Sequence, residues 1–295
     1  MIETRDLTEL SPITSDPIPA RVFPLDGEDK ISLKIIPFVF MHVACLAVFL
    51  VGVSLPAVLL CVGLYMLRMW GLTAGFHRYF SHRTYKTSRA FQFILALIGT
   101  MAVQKGVLWW AAHHRRHHKY TDEEGDIHSP VQDGFWWSHV GWVISTKHDE
   151  TDWEAIKDFA KYPELRWLNT YHVVPGVALA VLCWLALGWQ GLVWGFFVST
   201  VVLYHGTFTI NSLAHMWGSR RYKTTDDSRN NFLLALITGG EGWHNNHHHY
   251  MSSVKQGFFW WELDFSYYAL RVLSWFGIVR DLRMPPRHLL EQERE

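Results

Sequence analysis

No Asp, Glu, Lys or Arg occurs between Ile35 and Leu67, a run of 33 residues, and none occurs between Trp167 and Ser219, a run of 53. About 20 apolar residues suffice for one helix to cross a bilayer, so each run has room for more than one crossing. Buried helices of a soluble core seldom go so long without a charge. Each run also carries a turn signal, Gly52-Val-Ser-Leu-Pro56 in the first and Gly188-Trp-Gln-Gly191 in the second. The pattern predicts four spanning helices in two hairpins, over 32–52 and 56–76 and over 170–187 and 191–211. The expected fold class is therefore an all-α integral membrane protein, multi-pass, with a helical cap built from 77–169 and 212–288.

Charge sets the orientation. Twelve Lys and Arg lie from Arg78 to Arg166 and ten from Arg220 onward, whereas the hairpin tips carry none. By the positive-inside rule the cap and both termini face the cytoplasm, and Arg68 is expected to snorkel toward that face. The apolar piece 90–104 has only 15 residues, which predicts an interfacial or re-entrant helix. Residues 1–31 read as a polar, proline-containing tail with no signal-peptide core, and 289–295 as a short C-terminal tail. Lys plus Arg balance Asp plus Glu at 27 each, which gives no support to a nucleic-acid partner. All three cysteines, Cys45, Cys61 and Cys183, sit in apolar stretches, so neither a disulfide framework nor a cysteine metal site is expected.

The 18 histidines are clustered at the cytoplasmic ends of the expected spans. His114, His117 and His118 fall at i, i+3 and i+4, and so do His244, His247 and His248, so each trio projects from one side of a helix. Asn211 and His215 share a face at i and i+4. His77 and His82 are five apart, about 140° on a regular helix, and are expected to flank a helix end. A tetrahedral ion needs three or four ligands, so this many imidazoles points to two ions of higher coordination number. Imidazole suits Fe, Cu, Ni and Zn alike, so the chemistry by itself leaves the metal open.

The segments GFHRYFSHRTYKTS, HRRHHKYTDEEGDIHSP, WWSHVGWVISTKH, NSLAHMWG and GEGWHNNHHHY resemble the three histidine boxes and flanking signatures of the membrane-bound fatty acid desaturases. The nearest group is the stearoyl-type Δ9 enzymes that act on acyl-CoA or acyl-lipid. The resemblance makes 32–288 the desaturase domain and implies two iron ions, with O2 as co-substrate. Its metal ligands map onto His77, His82, His114, His117, His118, His215, His244, His247 and His248, with Asn211 acting through water. His113 and His249 adjoin the boxes but fall outside the pattern, and His42, His172, His205 and His288 are non-ligands. His128, His139 and His148 are expected in supporting roles. Of the nearby acids Asp122, Glu123, Glu124, Asp126, Asp226, Asp227 and Glu241, the two within family signatures, Asp126 and Glu241, are expected to orient ligating imidazoles. The others are expected to be solvated loop charges.

Where acyl-CoA enzymes carry Arg-Asp before the second box, this chain has Ala112-His113, which makes a glycerolipid carrier plausible beside CoA. Lys147 is the candidate headgroup contact. The implied reaction inserts a cis double bond into a saturated acyl chain, expected at Δ9, as oxygen is reduced to water. There is no Gly-rich dinucleotide fingerprint, so electrons are expected from an external ferredoxin, rubredoxin or cytochrome b5 with its reductase. Two other readings are a di-iron lipid hydroxylase and, more distantly, a non-enzymatic membrane metal-binding protein. The absence of carboxylates from the expected spans argues against the latter as a transporter.

Overall fold

In the computed structural model the described residues are 33 and 35–291, so the expected N-terminal tail and the last four residues lie outside them. Helix α1 covers Ile35–Val51 and α2 covers Leu55–Ser81. Gly52, at φ +68°, makes the break between them. Ser54 then caps α2 by accepting the Ala57 N–H, with Pro56 in the first turn. Two short elements follow: β1 (Lys86–Thr87) and α3 (Arg89–Thr100), which Ser88 caps through the Phe91 N–H. The cap continues with α4 (Val107–Tyr120) and a wide turn at Trp137–Gly141.

The second apolar run forms α5 (Val173–Gln190) and α6, which winds through Gly191–Val198 and on through Ser199–Asn211. The helical path breaks at Leu187 and Gly188, the latter at φ +58°, where the Gly188-Trp-Gln-Gly191 signal begins. The chain closes with α7 (His244–His249), α8 (Phe265–Trp275) and β2 (Val279–Arg280). The fold is mostly helical. β1 and β2 pair antiparallel, Lys86 opposite Arg280 and Thr87 opposite Val279, a small ladder that the all-α expectation lacks.

Two helical stretches, Leu55–Ser81 and Val173–His215, are long and apolar enough to cross a membrane. Their outer faces are rich in exposed Leu, Val and Trp, which suits a lipid solvent rather than water. At the tips the hairpins are clasped together. Gln190 takes the Ser54 hydroxyl at 2.7 Å and gives its amide to the Val51 carbonyl at 2.8 Å, while Trp194 Nε1 donates to Gly52 O at 2.9 Å.

Helix α3 is too short to cross, as expected, and its inner face of Gln92, Leu95, Ala96, Gly99 and Thr100 is buried against the end of α2. The approach there is very close, because a Cβ on Gly99 would overlap the Phe76 ring. Arg68 corrects another expectation. Its side chain is fully buried among the helices rather than drawn out to water. Its guanidinium donates to Leu64 O at 3.0 Å, Thr200 Oγ1 at 2.6 Å and Ser199 Oγ at 2.5 Å, the last two on α6. Hydroxyls and carbonyls within reach replace the hydration that snorkelling would have preserved.

Candidate metal centre

The first histidine pair depends on an unusual helix. Over Gly71–Ser81, α2 widens into π-helical turns, and the His82 N–H reaches the His77 carbonyl five residues back at 3.1 Å. Widened turns of this kind are frequent at functional sites. Residues five apart then lie on the same side, so the His77 and His82 rings come within 4.8 Å of each other although a regular helix would point them apart.

Helices α4 and α7 supply the two trios, and each trio divides. His77, His82, His114, His118 and His247 form one group whose ligand-capable nitrogens lie within 4.8 Å of one another, and His117, His215, His244 and His248 form a second. At 100° per residue, positions i and i+4 differ by about 40°, whereas i+3 swings about 60° the other way. In α4 the pair His114/His118 joins the first group and the i+3 residue His117 the second. In α7 the pair His244/His248 joins the second group and the i+3 residue His247 the first. The single direction expected of each trio is thus refined into two, and the helices exchange one histidine each.

Within the groups the Nε2 atoms face inward. His77 and His247 are 3.1 Å apart, His82 and His114 2.9 Å, His118 and His247 3.0 Å, and His215 and His244 3.1 Å. Four outer nitrogens are held by carboxylates. His77 Nδ1 meets Glu241 at 2.5 Å, His117 meets Asp126 at 2.9 Å, His215 meets Asp122 at 2.9 Å and His248 meets Asp226 at 2.8 Å. A proton on Nδ1 shared with a carboxylate leaves the Nε2 lone pair free. His248 Nε2 is such an atom, buried with no hydrogen-bond partner. Inward lone pairs without donors are the chemistry of a metal site, and the residues present fit two ions.

Asp126 and Glu241, expected to orient imidazoles, lie against His117 and His77. Asp122 and Asp226, expected to be solvated loop charges, lie in the same way against His215 and His248. Asp122 is 93 residues from His215, so no local spacing signals the contact. Glu123 and Glu124 are exposed, and Asp227 pairs with Arg220 at 3.4 Å. Burial alone would raise the acids. The facing histidines, joined by Arg78 in the case of Glu241, instead hold Asp122 and Glu241 at about 2 and push Asp126 and Asp226 down as well. Burial drives His82, His114, His118, His244 and His247 well below the ordinary imidazole value, so these rings are neutral. For His117 the burial effect is outweighed by Asp126, Asp122 and Asp226, and its pKa rises.

Arg78 is a further functional residue that sequence reasoning passed over. Fully buried, it pairs with Glu241 at 3.0 Å and Asp264 at 2.9 Å and donates to Val254 O at 2.8 Å. It thereby fixes the carboxylate that orients His77.

A cavity of about 660 Å³ opens beside the groups. Its wall includes His77, His114, His244, Asn211 and Glu241, and the rest is dominated by apolar side chains such as Phe38, Met41, Val177, Phe196 and Phe208. Lys147 is not among its lining residues. The cation that lines it is Lys105, paired to Asp149 at 2.6 Å and lying 4.7 Å from the Trp109 ring centre. His113 and His249 stay outside both groups: His113 bonds Trp109 O at 2.9 Å, and His249 stacks on Tyr222 at 4.0 Å. His128 packs 4.4 Å from the His117 ring and, with Asp126 and His117, makes a third potential metal-holding group that overlaps the second.

Helices of membrane-crossing length, buried imidazoles that could hold metal ions and are backed by carboxylates, and an adjoining apolar cavity occur together in this fold. The sequence model of the fatty acid desaturase family matches residues 53–274, and the chain belongs to that family. It is 33% identical over 220 residues to the sn-2 palmitoyl-lipid 9-desaturase of Nostoc sp. (strain 36), covering 73% of this chain and 77% of that one. It is 34% identical to Delta-9 acyl-lipid desaturase 1 of Arabidopsis thaliana, covering 86% and 83% of the two chains. Its identity to the acyl-CoA C20 Delta5-desaturase of Anemone leveillei is 35%, covering 76% and 73%. The protein is accordingly an oxidoreductase, a fatty acyl desaturase, and the non-enzymatic reading is not favoured.

Proposed function

We propose that the protein inserts a cis Δ9 double bond into saturated acyl chains carried on membrane glycerolipids. The observation that carries the chemistry is the division of nine imidazoles into groups of five and four with inward Nε2 atoms. His77, His82, His114, His118 and His247 would hold one iron ion, and His117, His215, His244 and His248 the other, with Asn211 reaching one of them through water. When bound, the two irons supply the activation of dioxygen that attack on an unactivated C–H bond requires.

The chain's own residues do the rest. Glu241, Asp126, Asp122 and Asp226 keep four imidazoles in the Nε2-free tautomer. The apolar wall straightens and dries the acyl chain, so that two vicinal carbons lie beside His77, His114 and His244. Two observations favour a glycerolipid over CoA. Lys105, the lysine at the cavity, is already neutralised by Asp149, and Ala112-His113 stands where acyl-CoA enzymes carry Arg-Asp before the second box.

The topology proposed is four spans, α1, α2, α5 and α6, with the cap and both termini cytoplasmic. Electrons come from an external ferredoxin, rubredoxin or cytochrome b5 type of donor docking on the cap. The carrier is tested by supplying iron-loaded protein, donor and reductant with either 18:0-phosphatidylcholine in bilayers or stearoyl-CoA. The expected result is a 9-monoene on the glycerolipid and little on CoA, and the reverse preference would overturn the carrier assignment.

A further inference from the structure

The cavity reaches the outside of the helices between α1 and α5. Pro37, Phe40 and Met41 on α1 and Val173, Gly176 and Val177 on α5 all line it, and each trio has the i, i+3, i+4 spacing of one helix face. Four of the six also face outward. Pro37 is exposed, and Phe40, Val173 and Val177 are each more than half exposed. The cavity surface does not account for that exposure, because Met69, Leu72 and Phe208 line the same cavity and are buried. Side chains that meet both the cavity and the surroundings of the helices form the rim of an opening.

Neighbouring contacts bound the opening. Helix α6 lies behind it, with Phe197 edge-on to Phe40 at 5.8 Å and Tyr204 stacked on Phe38 at 6.0 Å. Toward the tips it is closed by the buried cluster of Met41, Leu179, Cys183 and Phe196. Beyond that cluster Gln190 ties α5 to the Val51 carbonyl at 2.8 Å. The opening is thus confined to the cap ends of α1 and α5.

Depth follows from helix geometry. At 1.5 Å per residue, the six residues lie within about 10 Å of where α1 and α5 begin. Trp167 and Tyr171, just before α5, are both exposed with ring centres 5.5 Å apart, as an aromatic pair at the headgroup level would be. With the cap on the cytoplasmic side, as proposed above, the rim falls among the upper methylenes of the cytoplasmic leaflet. Pro37, Phe40, Val173 and Val177 offer no polar side chain, so the rim suits hydrocarbon and not a headgroup.

We propose that this opening is a lateral portal, through which the acyl chain of a glycerolipid in the cytoplasmic leaflet enters the cavity while its headgroup stays at the interface. The proposal rests on the glycerolipid reading given above and names the route by which that substrate arrives. Drawing an acyl chain out of the bilayer into water costs free energy with every methylene exposed. Sideways passage between α1 and α5 avoids that cost, because the chain moves from one apolar medium to another and the headgroup remains hydrated.

The test uses the full chain, iron-loaded in 18:0-phosphatidylcholine bilayers with donor and reductant. Val173→Cys is compared with Val174→Cys, because Val174 is exposed one residue further along α5 but does not line the cavity. Turnover is read before and after reaction with pyrene maleimide, and wild type treated alike corrects for Cys45, Cys61 and Cys183. The pyrene is expected to abolish the turnover of Val173→Cys and to spare that of Val174→Cys. Independently of turnover, a phosphatidylcholine carrying a diazirine near the end of its acyl chain should photolabel Met69 or Leu72 in the metal-free protein. Pyrene at position 173 should prevent that labelling. Equal turnover in the two modified variants, or photolabel confined to the outer faces of the helices, would overturn the portal while leaving the desaturase reading intact. A protein that acts on stearoyl-CoA alone would overturn the carrier and the portal with it. If wild type makes no alkene from either carrier, the desaturase reading fails and the photolabel by itself decides the portal.

Discussion

A neutral imidazole offers a metal only the nitrogen that carries no proton, so the carboxylates behind His77, His117, His215 and His248 decide which atom faces inward. Replacing either partner by its amide, Asp126→Asn or Asp226→Asn, is expected to lower iron affinity about 10–100-fold, read by iron titration of the metal-free protein. Protonation has a definite sign as well. Five buried rings titrate in the folded protein well below 6.5, so as pH falls through that value the unfolded chain takes up protons first and stability is lost. Asp122 and Glu241, held at about 2, add a second loss as pH falls from their ordinary values of 3.8 and 4.5. The melting temperature of the metal-free protein should therefore decline steadily from pH 7 to 4, and bound iron should delay the decline. A flat profile without metal would contradict this account of the site. The two histidine trios were legible because helical spacing is local. Asp122 and Asp226 were not, because their partners lie far away in the chain and nothing at the level of one loop separates an orienting carboxylate from a solvated one.

The helices that place the ligands show which local rules hold and where tertiary packing overrides them. Gly52 with Pro56 marks one hairpin tip and Gly188 with Gly191 the other, and Gly52 and Gly188 sit at the breaks because their positive φ is a conformation glycine adopts without strain. The π-helical stretch of α2 could not be read, since it has no composition of its own. Its companion is visible only in three dimensions: α3 crosses so closely that Gly99 has the Phe76 ring where a side chain would begin. Gly99→Ala is expected to destabilise the protein by about 1–3 kcal/mol through overpacking, measured as a lower melting temperature in detergent with some loss of bound iron. Arg68 teaches the complementary lesson. Snorkelling was the reasonable expectation for a lone cation near a helix end, and it failed because Ser199 and Thr200 from the facing helix supply the acceptors.

At the scale of the whole molecule the account joins two charge-free runs, a charged cap and a cavity between them. The runs announce membrane crossing on their own, whereas the cavity arises from residues scattered over all four long helices and the cap and has no sequence signature. The proposed topology puts the clasped tips opposite the cap. In intact cells Trp189→Cys should react with a membrane-impermeant maleimide from outside, and Lys119→Cys only after the membrane is opened. Labelling of both from one side would refute the arrangement.

The most direct test of the central claim is the fatty acid profile of cells expressing the protein, set beside a His117→Ala, His118→Ala variant at equal abundance. That double change removes one imidazole from each metal group. The account predicts a new cis-9 monounsaturated acid, made only by the intact protein and only with oxygen present. A hydroxylated acid retaining oxygen from O2, or the same monoene from the variant, would contradict it.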